Sequence, residues 1–318
     1  MWHQIFNAQL LGDAVGVSGT VLILAGLGYL FTDRAGVFNI AIEGLLLFSA
    51  FFAAAASGTS GNAILGVAAG VGGALVVSLI FFLVSIGLRA DIIVVGIAIN
   101  LLAGGTTVFL LNHWFGVEGN YQPAALQTIP AFSIPGLDNL PLLGPVFTNQ
   151  SLLTYIAVLL VPASHVVLYK TPLGLHIRSV GENPEAAATV GINVRRTQFI
   201  AVMICGVLAG LGGCFLSIGP LGGFDQNMSA GQGWIALAAE TLGRGTPVGT
   251  FVSCLFYGGS QGVSSNMQAA NIGASQLAQS IPYVMTVIGL AIAAKGVVAR
   301  RRRPMTKSSG SEPARAAT

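Results

Sequence analysis

Runs of about 20 mostly apolar residues recur along almost the whole chain, and each is long enough for a helix to cross a bilayer. Of the 318 residues, 53% are hydrophobic and only 8% are charged, whereas soluble domains carry about 25% charged residues. So few charges cannot build a water-exposed surface, and lipid must therefore solvate much of the chain. The pattern predicts an all-α polytopic membrane protein with about 8–10 transmembrane helices. The runs lie at about 12–31, 36–57, 62–88, 92–111, 151–169, 198–217, 247–264 and 282–299, with a shorter run at about 228–243.

The distribution of positive charge predicts the orientation, because Lys and Arg concentrate on the cytoplasmic side of membrane proteins. Arg300–Arg303 follow the last run, which places the C-terminus inside. If 228–243 counts as a crossing, even a broken one, all fourteen Lys and Arg lie at the inner side and the N-terminus is outside. Residues 1–299 then form one transmembrane domain, and 300–318 form a basic, disordered cytoplasmic tail. Cations that flank membrane segments in this way give no reason to expect nucleic-acid binding.

Two connections between the apolar runs are long. The stretch 112–150, expected outside, contains five prolines and should not form a spanning helix. It either receives a partner or caps a pathway, or it is a passive connector. The stretch 170–197, expected inside, is the longest polar piece between two runs.

The second run opens with an acidic residue that is costly inside a membrane unless it is paired, hydrated or near the interface. Asn39 and Glu43 are four residues apart, so a helix that starts at Gly36 places both on one face. That face should point into the bundle or towards a water-filled path. The two residues are therefore either part of a translocation pathway or gate, or a polar clamp between helices.

Two further polar residues fall within apolar runs. Glu240 lies in the short run 228–243 and either belongs to the pathway or pairs with Arg244, four residues on. Asn100 is the lone polar residue in the middle of the fourth run. It is a pathway candidate too, although such residues more often join helices than bind a ligand.

The inner stretch 170–197 contains strong signals for a short helix over 184–190. Asn183 is a good N-cap and Pro184 suits the first helical position. Gly191 can end the helix in the left-handed conformation. A helix of two turns is marginal by itself, so it either docks into a partner or is an ordinary connector. Its expected exposed face comprises Ala186, Ala187 and Val190.

Signatures of catalysis and of metal binding are missing from the sequence. It contains no G-x-x-x-x-G-K-[ST] phosphate-binding loop, no H-E-x-x-H and no G-x-S-x-G. Its three cysteines have no C-x-x-C spacing, so no metal site is expected. We therefore expect neither an enzyme nor a bound cofactor.

Several stretches of the chain resemble the permeases of bacterial ATP-binding-cassette (ABC) importers. The specific stretches are "GVFNIAIEG" and "TPLGLHIRSVGENPEAAATVGIN", and "ICGVLAGLGG" and "LGRGTPVG" are similar as well. The branch is the one of branched-chain amino acid, ribose and nucleoside permeases, and "NIAIEG" favours its nucleoside members, with simple-sugar permeases next. One departure is Glu240, where the branch has an apolar residue.

This resemblance implies a multi-pass protein of the bacterial cytoplasmic (inner) membrane with several partners. It implies a second related permease, an extracytoplasmic substrate-binding protein and a cytoplasmic ATPase that hydrolyses the ATP. It further implies that the region around 182–191 is the coupling helix that docks on this ATPase. The residues expected to serve this coupling are Arg178, Glu182, Asn183, Pro184, Ala186, Ala187 and Gly191.

Two other functions remain open on the sequence. An ion-coupled secondary transporter would use Glu43 and Glu240 as proton or sodium sites. A membrane assembly subunit would have no pathway of its own. Neither accounts for the capped inner helix as well as the permease does.

Overall fold

A computed structural model describes residues 8–132, 150–269, 280, 284–287 and 291, with side chains described from residue 16 onward. The described chain is almost entirely helical, as the sequence predicts. Its helices are α1 (Ala8–Arg34), α2 (Ile42–Ser60), α3 (Ala63–Phe82), α4 (Ile92–Phe115), α5 (Leu152–Lys170), α6 (Pro172–Glu182), α7 (Pro184–Thr189), α8 (Val194–Ile218), α9 (Gln232–Leu242) and α10 (Pro247–Ala269). A π-helical turn, Leu83–Gly87, extends α3. Four strands of two residues each complete it: β1 (Asn120–Tyr121), β2 (Ala131–Phe132), β3 (Gln150–Ser151) and β4 (Phe224–Asp225).

Six helices of the described chain are long and apolar enough to cross a membrane, which confirms six of the predicted runs. They comprise Gly16–Arg34, Ile42–Ser60, Ala63–Gly87, Ile92–Phe115, Leu152–Lys170 and Val194–Ile218. The run 247–264 lies within α10. The run 282–299 lies outside the described residues except for 284–287 and 291. The chain is therefore a multi-pass membrane protein.

Two segment boundaries differ from expectation. The second run was predicted to be helical from Gly36, but α2 begins at Ile42, because Gly36 adopts a positive φ of 72° and the chain turns before the helix starts. The short run 228–243 forms α9, which has only 11 residues. At 1.5 Å per residue α9 is about 16 Å long, roughly half of a bilayer core. Residues 228–231 of the predicted run precede the helix.

Contacts between the segments that connect the helices define two ends of the bundle. At one end, the backbone of Gly181 lies against that of Arg34 and Gly36, and Arg34 contacts the 244–245 turn. We call this the basic end. At the opposite end, β1 pairs with β4 and β2 pairs with β3, both antiparallel. No spanning helix forms over 116–132 in the described part of the 112–150 stretch, and residues 133–149 lie outside it.

Glycines allow α8 to pack closely in the centre of the bundle. A Cβ at Gly206 would lie 3.0 Å from the Ser78 Cβ of α3, and one at Gly210 would lie 3.0 Å from the Ala74 Cβ. At Gly213 it would overlap the Leu46 carbonyl of α2. The Gly206–Gly210 motif therefore brings helices together, as expected of small residues in membranes. In contrast, α4 exposes Leu101, at 73%, to the surroundings of the bundle, where lipid would contact it.

Candidate functional site

The half-length helix α9 is held at its N-terminus by a side chain from another helix. Glu43 Oε1 accepts a hydrogen bond of 2.8 Å from the Gly231 N–H, and Oε2 accepts one of 2.7 Å from the Gly233 N–H. Gly231 has a φ of 81°, a conformation suited to glycine. A Cβ at Gly233 would lie 2.7 Å from the Glu43 nitrogen, so only glycine allows this approach. A carboxylate at a helix N-terminus both satisfies free N–H groups and faces the positive end of the helix dipole.

Asn100 performs a similar task at the start of α2. Its Oδ1 accepts from the Gly44 N–H at 2.8 Å, and its Nδ2 donates to the Ile40 carbonyl at 3.0 Å. The α2 N-cap residue, Ala41, has no side chain that can cap the helix. Asn100 therefore joins α4 to α2 one residue away from Glu43, and α4, α2 and α9 are linked in series.

Asn39 does not share a helical face with Glu43, which corrects the expectation from their spacing. It precedes α2, is fully buried, and its Oδ1 accepts from the Ala41 N–H at 3.0 Å. Its Nδ2 lies 3.4 Å from the Cys205 sulfur of α8. Asn39 therefore braces the turn before α2 against α8, while Glu43 contacts α9.

Glu240 lies inside the bundle, towards the other end of α9. Only 2% of the residue is exposed, and its Oε1 has no hydrogen-bond partner among the described residues. Within that part of the chain no ion pair joins it to Arg244, whose side chain is exposed. The pairing expected from their spacing is therefore not formed, because α9 ends at Leu242 and Arg244 adopts a positive φ of 57°.

Arg34 is a functional candidate that the sequence reasoning missed. Its Nε donates to the Gly245 carbonyl at 2.7 Å, and one terminal nitrogen donates to the Arg244 carbonyl at 3.1 Å. These carbonyls follow the C-terminus of α9, where a cation also suits the helix dipole. The signal available in the sequence was the glycine-rich "LGRGTPVG", whose turn presents backbone carbonyls.

The inner helix predicted from its caps is present as α7. Asn183 Oδ1 accepts from the Ala186 N–H at 3.0 Å, Pro184 occupies the first turn, and Gly191 follows with a φ of 87°. The helix α6 precedes it and is capped by Thr171, whose hydroxyl accepts from the Gly174 N–H at 3.2 Å. Only Asn183 separates the two helices, which lie at the basic end, and we call residues 172–190 the α6–α7 hairpin.

The exposed face of α7 differs from the expected one. Ala186 is exposed, as expected, and Val190 is 74% exposed, but Ala187 is only 4% exposed. Ala187 faces inward because the helix lies against the rest of the chain. Glu182, Asn183, Pro184 and Gly191 are exposed.

The helix α6 contacts the membrane helices through Arg178 and Gly181, among others. Arg178 Nε donates to the Leu168 carbonyl at 3.0 Å, and its guanidinium lies 4.9 Å from the centre of the Tyr169 ring. A Cβ at Gly181 would lie 3.2 Å from the Gly36 nitrogen. A cleft of about 260 Å³ opens beside these contacts and is lined by Asp33, Arg34, Arg178, Gly181 and Glu182. A movement of α6 would therefore reach Arg34, and through it the C-terminal end of α9.

The fold and this site define a class: a helical membrane bundle with a clamped half-helix inside and a helical hairpin attached at its basic end. The family described as branched-chain amino acid transport system / permease component matches residues 13–294. The chain belongs to this family, and it is accordingly the permease subunit of an ABC importer and not an enzyme. Membership of this family favours the permease over the two alternatives, an ion-coupled secondary transporter and a membrane assembly subunit.

Relatives support the same assignment over most of their length. The guanosine ABC transporter permease protein NupQ of Bacillus subtilis is 37% identical over 297 residues, which cover 89% of this chain and 91% of the relative. The nucleoside ABC transporter permease protein NupC of Lactococcus lactis is 34% identical over 91% of this chain and 92% of its own. The putative glucose ABC transporter permease protein TsgC13 of Haloferax volcanii is 34% identical over a match that covers 80% of this chain and 76% of the relative. No solved structure matches the chain.

Proposed function

We propose that this permease imports nucleosides, driven by ATP that a separate subunit hydrolyses. The substrate class is proposed because the chain is similar, over about nine tenths of its length, to permeases named for guanosine and for nucleosides. A simple sugar is the second candidate, which the similarity to a glucose permease favours. Both classes are small neutral solutes rich in hydroxyl groups.

The distribution of charge supports an orientation with the basic end in the cytoplasm. Arg89, Lys170, Arg195 and Arg244 all lie at or next to the ends of helices that meet there. The described residues of the opposite end, 116–132, contain no Lys or Arg. By the positive-inside rule, the α6–α7 hairpin then faces the cytoplasm, the N-terminus is outside and the C-terminus is inside.

The α6–α7 hairpin is proposed to couple the permease to a cytoplasmic ABC ATPase. Its outward surface offers apolar side chains at Leu175, which is 57% exposed, and at Val190. Ala186 between them is small enough for close contact, and Glu182 and Glu185 surround this surface with charge. Exposed apolar residues in a water-facing segment favour a protein partner.

We assign the pathway or gate to the half-helix and its contacts. Discontinuous helices in transporters concentrate near substrate sites, because non-helical backbone at membrane depth is tolerated only where protein or a cavity surrounds it. Glu43 would hold α9 in place, Asn39 and Asn100 would brace the start of α2, which carries Glu43, and Glu240 would face the interior. ATP binding on the partner would favour one of two positions of this assembly.

The remaining partners follow from the same proposal. A second related permease would complete the pathway, an extracytoplasmic binding protein would deliver the solute at the end that carries the small sheets, and this chain would bind no cofactor. Uptake of labelled guanosine and of labelled glucose by cells that carry or lack the chain tests the substrate class. We expect guanosine uptake to require the chain. Unchanged guanosine uptake in its absence, together with lost glucose uptake, would replace the nucleoside by the sugar.

A further inference from the structure

Buried polar atoms without a partner concentrate in one part of the molecule. Nine buried side-chain oxygen or nitrogen atoms of the described chain have no hydrogen-bond partner there. Two of them belong to Ser78 and Ser217, in α3 and α8. The other seven fall within 229–266, which is α9, the turn before it and α10. They belong to Ser229, Gln232, Glu240, Thr250, Tyr257, Gln261 and Asn266.

Several other buried hydroxyls of the described bundle hydrogen-bond to the backbone. Thr32 donates to the Tyr29 carbonyl at 2.8 Å, Ser57 to the Gln127 carbonyl at 2.7 Å and Thr107 to the Ala103 carbonyl at 2.8 Å. A buried polar group without a partner destabilises the fold, because it has lost its hydrogen bonds to water. Seven such groups on neighbouring elements are therefore unusual, and a common ligand that forms hydrogen bonds with them would account for their position.

Three of the α10 residues lie on one face of the helix. Positions 250, 257 and 261 are separated by seven and four residues, the spacing of a single helical stripe. Thr250 and Tyr257 are fully buried. The same stripe includes Cys254, whose thiol lies 3.2 Å from the Leu22 carbonyl of α1.

Glu240 of α9 lies beside this stripe. A Cβ at Gly26 of α1 would lie 3.2 Å from the Cys254 sulfur and 3.6 Å from the carbonyl of Ala236, which is one turn before Glu240 in α9. A Cβ at Gly243, one turn after Glu240, would overlap the Thr250 nitrogen, so α9 and α10 are in tight contact here. The carboxyl group of Glu240 and the two hydroxyls therefore belong to helices that pack against each other inside the bundle.

The chemistry of these groups fits an uncharged solute that donates hydrogen bonds. The unpartnered atoms of Gln232, Glu240 and Gln261 are oxygen acceptors, and the hydroxyls can accept as well as donate. Ribose hydroxyls and amino groups on a base are donors of this kind. None of the seven residues is Lys or Arg, so they do not suit a phosphate group.

The turn before α9 is consistent with such a site. Asn227 and Ala230 adopt positive φ angles of 58° and 44°, which are uncommon for residues other than glycine. Strained backbone of this kind persists where the surrounding structure holds it, and it clusters at ligand sites. Ser229, fully buried between them, has an unpartnered hydroxyl.

We infer that the α9–α10 polar stripe, defined as Gln232, Glu240, Thr250, Tyr257 and Gln261, is the part of the pathway that contacts the hydroxyl and amino groups of the solute. This rests on the proposed import of nucleosides and adds to it the residues that recognise the solute. The stripe is closed against α1, where a Cβ at Gly26 would lie 3.0 Å from Thr250 Cγ2. The solute therefore enters only when α1 and α10 separate in the transport cycle.

Deoxynucleosides test the stripe, because a site that hydrogen-bonds a hydroxyl discriminates against the analogue without it. Cells that depend on this chain are given guanosine, 2′-deoxyguanosine or 3′-deoxyguanosine. Thr250→Val and Tyr257→Phe each remove one hydroxyl at nearly constant volume, and Glu240→Gln replaces the carboxyl group by an amide. We expect at least one of these variants to change the ratio of guanosine to deoxyguanosine uptake by about threefold or more.

The matched control is Ser260→Ala in the same helix. Its hydroxyl is buried as well, but it already donates to the Tyr257 carbonyl at 2.7 Å, so the uptake ratio should not change. The binding protein is the same in every strain, so a change in the ratio reports on the permease. Unchanged ratios in all three stripe variants, with uptake or stability merely lowered, would overturn the inference and leave a structural polar cluster.

Different outcomes test the proposed substrate class and the proposed recognition residues. If the unaltered chain imports glucose and not guanosine, the nucleoside proposal is wrong. The same variants are then compared on glucose and its deoxy analogues. A changed ratio supports the stripe, and an unchanged ratio overturns it.

Discussion

Glu43 and Arg34 stand at the two ends of the α1–α2 connection, and each holds one end of α9. Glu43 accepts the N–H groups of Gly231 and Gly233, and Arg34 donates to the carbonyls of the turn after the helix. The negative group thus faces the positive end of the helix dipole, and the positive group faces the negative end. A half-helix of 11 residues has little stability of its own, so its position depends on this connection.

Glu43→Gln should weaken the clamp without leaving a cavity. The amide retains one acceptor, so one of the two charge-assisted hydrogen bonds is lost, at about 1.5–3 kcal/mol. We expect the protein to insert normally, to denature at a lower temperature as a purified assembly, and to import solute several-fold more slowly. Gly233→Ala should have a similar effect, because its methyl group would push α9 away from α2. Wild-type uptake in both variants at equal expression would show that the clamp is dispensable.

Arg34→Lys distinguishes the shape of the guanidinium from its charge. Lysine retains the positive charge but cannot donate from two nitrogens to the Gly245 and Arg244 carbonyls together. We expect Arg34→Lys to retain part of the uptake and Arg34→Ala to lose most of it. The ratio of ATP hydrolysed to solute imported should rise in both, since Arg34 also lines the cleft beside α6. Equal ratios in the two variants and the wild type would argue against a role in transmission.

Val190→Arg tests the coupling hairpin better than a change at Ala187. Val190 is 74% exposed, so an arginine there should leave folding intact, whereas Ala187 is buried and its replacement would disturb α7 itself. We expect the Val190→Arg permease to retain less ATPase during purification, by about tenfold in affinity, because a desolvated charge would enter a packed interface. Leu88→Arg is the control, as it is 78% exposed at the same end but outside the hairpin. Full retention of the ATPase by Val190→Arg would show that α7 is only a connector.

Single cysteines at Gln122 and Thr189 test the orientation. Both residues are exposed, and they lie at opposite ends of the bundle. In a background without the three native cysteines, an impermeant thiol reagent applied to intact cells should label Gln122→Cys and not Thr189→Cys. Labelling of Thr189→Cys from outside would reverse the proposed topology.

The sequence predicted the features that depend on neighbouring residues. The limits of α7 followed from Asn183, Pro184 and Gly191, because a cap acts within one helical turn. Six of the nine predicted apolar runs are confirmed as helices long enough to span a membrane, because length and composition suffice for these. The resemblance of two long motifs predicted the family.

Contacts between distant parts of the chain could not be predicted in this way. Glu43 and Gly233 are 190 residues apart, and Arg34 and Gly245 are 211 apart. Spacing alone wrongly placed Asn39 on the face of Glu43, because the turn at Gly36 delays the start of the helix. The inward position of Ala187 depends on how α7 packs on the rest of the chain, which its own sequence does not specify.

Transport by the assembled complex in liposomes tests the central claim most directly. The permease is purified with its partner subunits, reconstituted, and supplied with ATP on the side of the α6–α7 hairpin and with guanosine-loaded binding protein on the other. We predict accumulation of guanosine that requires ATP hydrolysis and that Val190→Arg reduces. Accumulation by the permease alone, driven by an ion gradient and insensitive to ATP, would contradict the account.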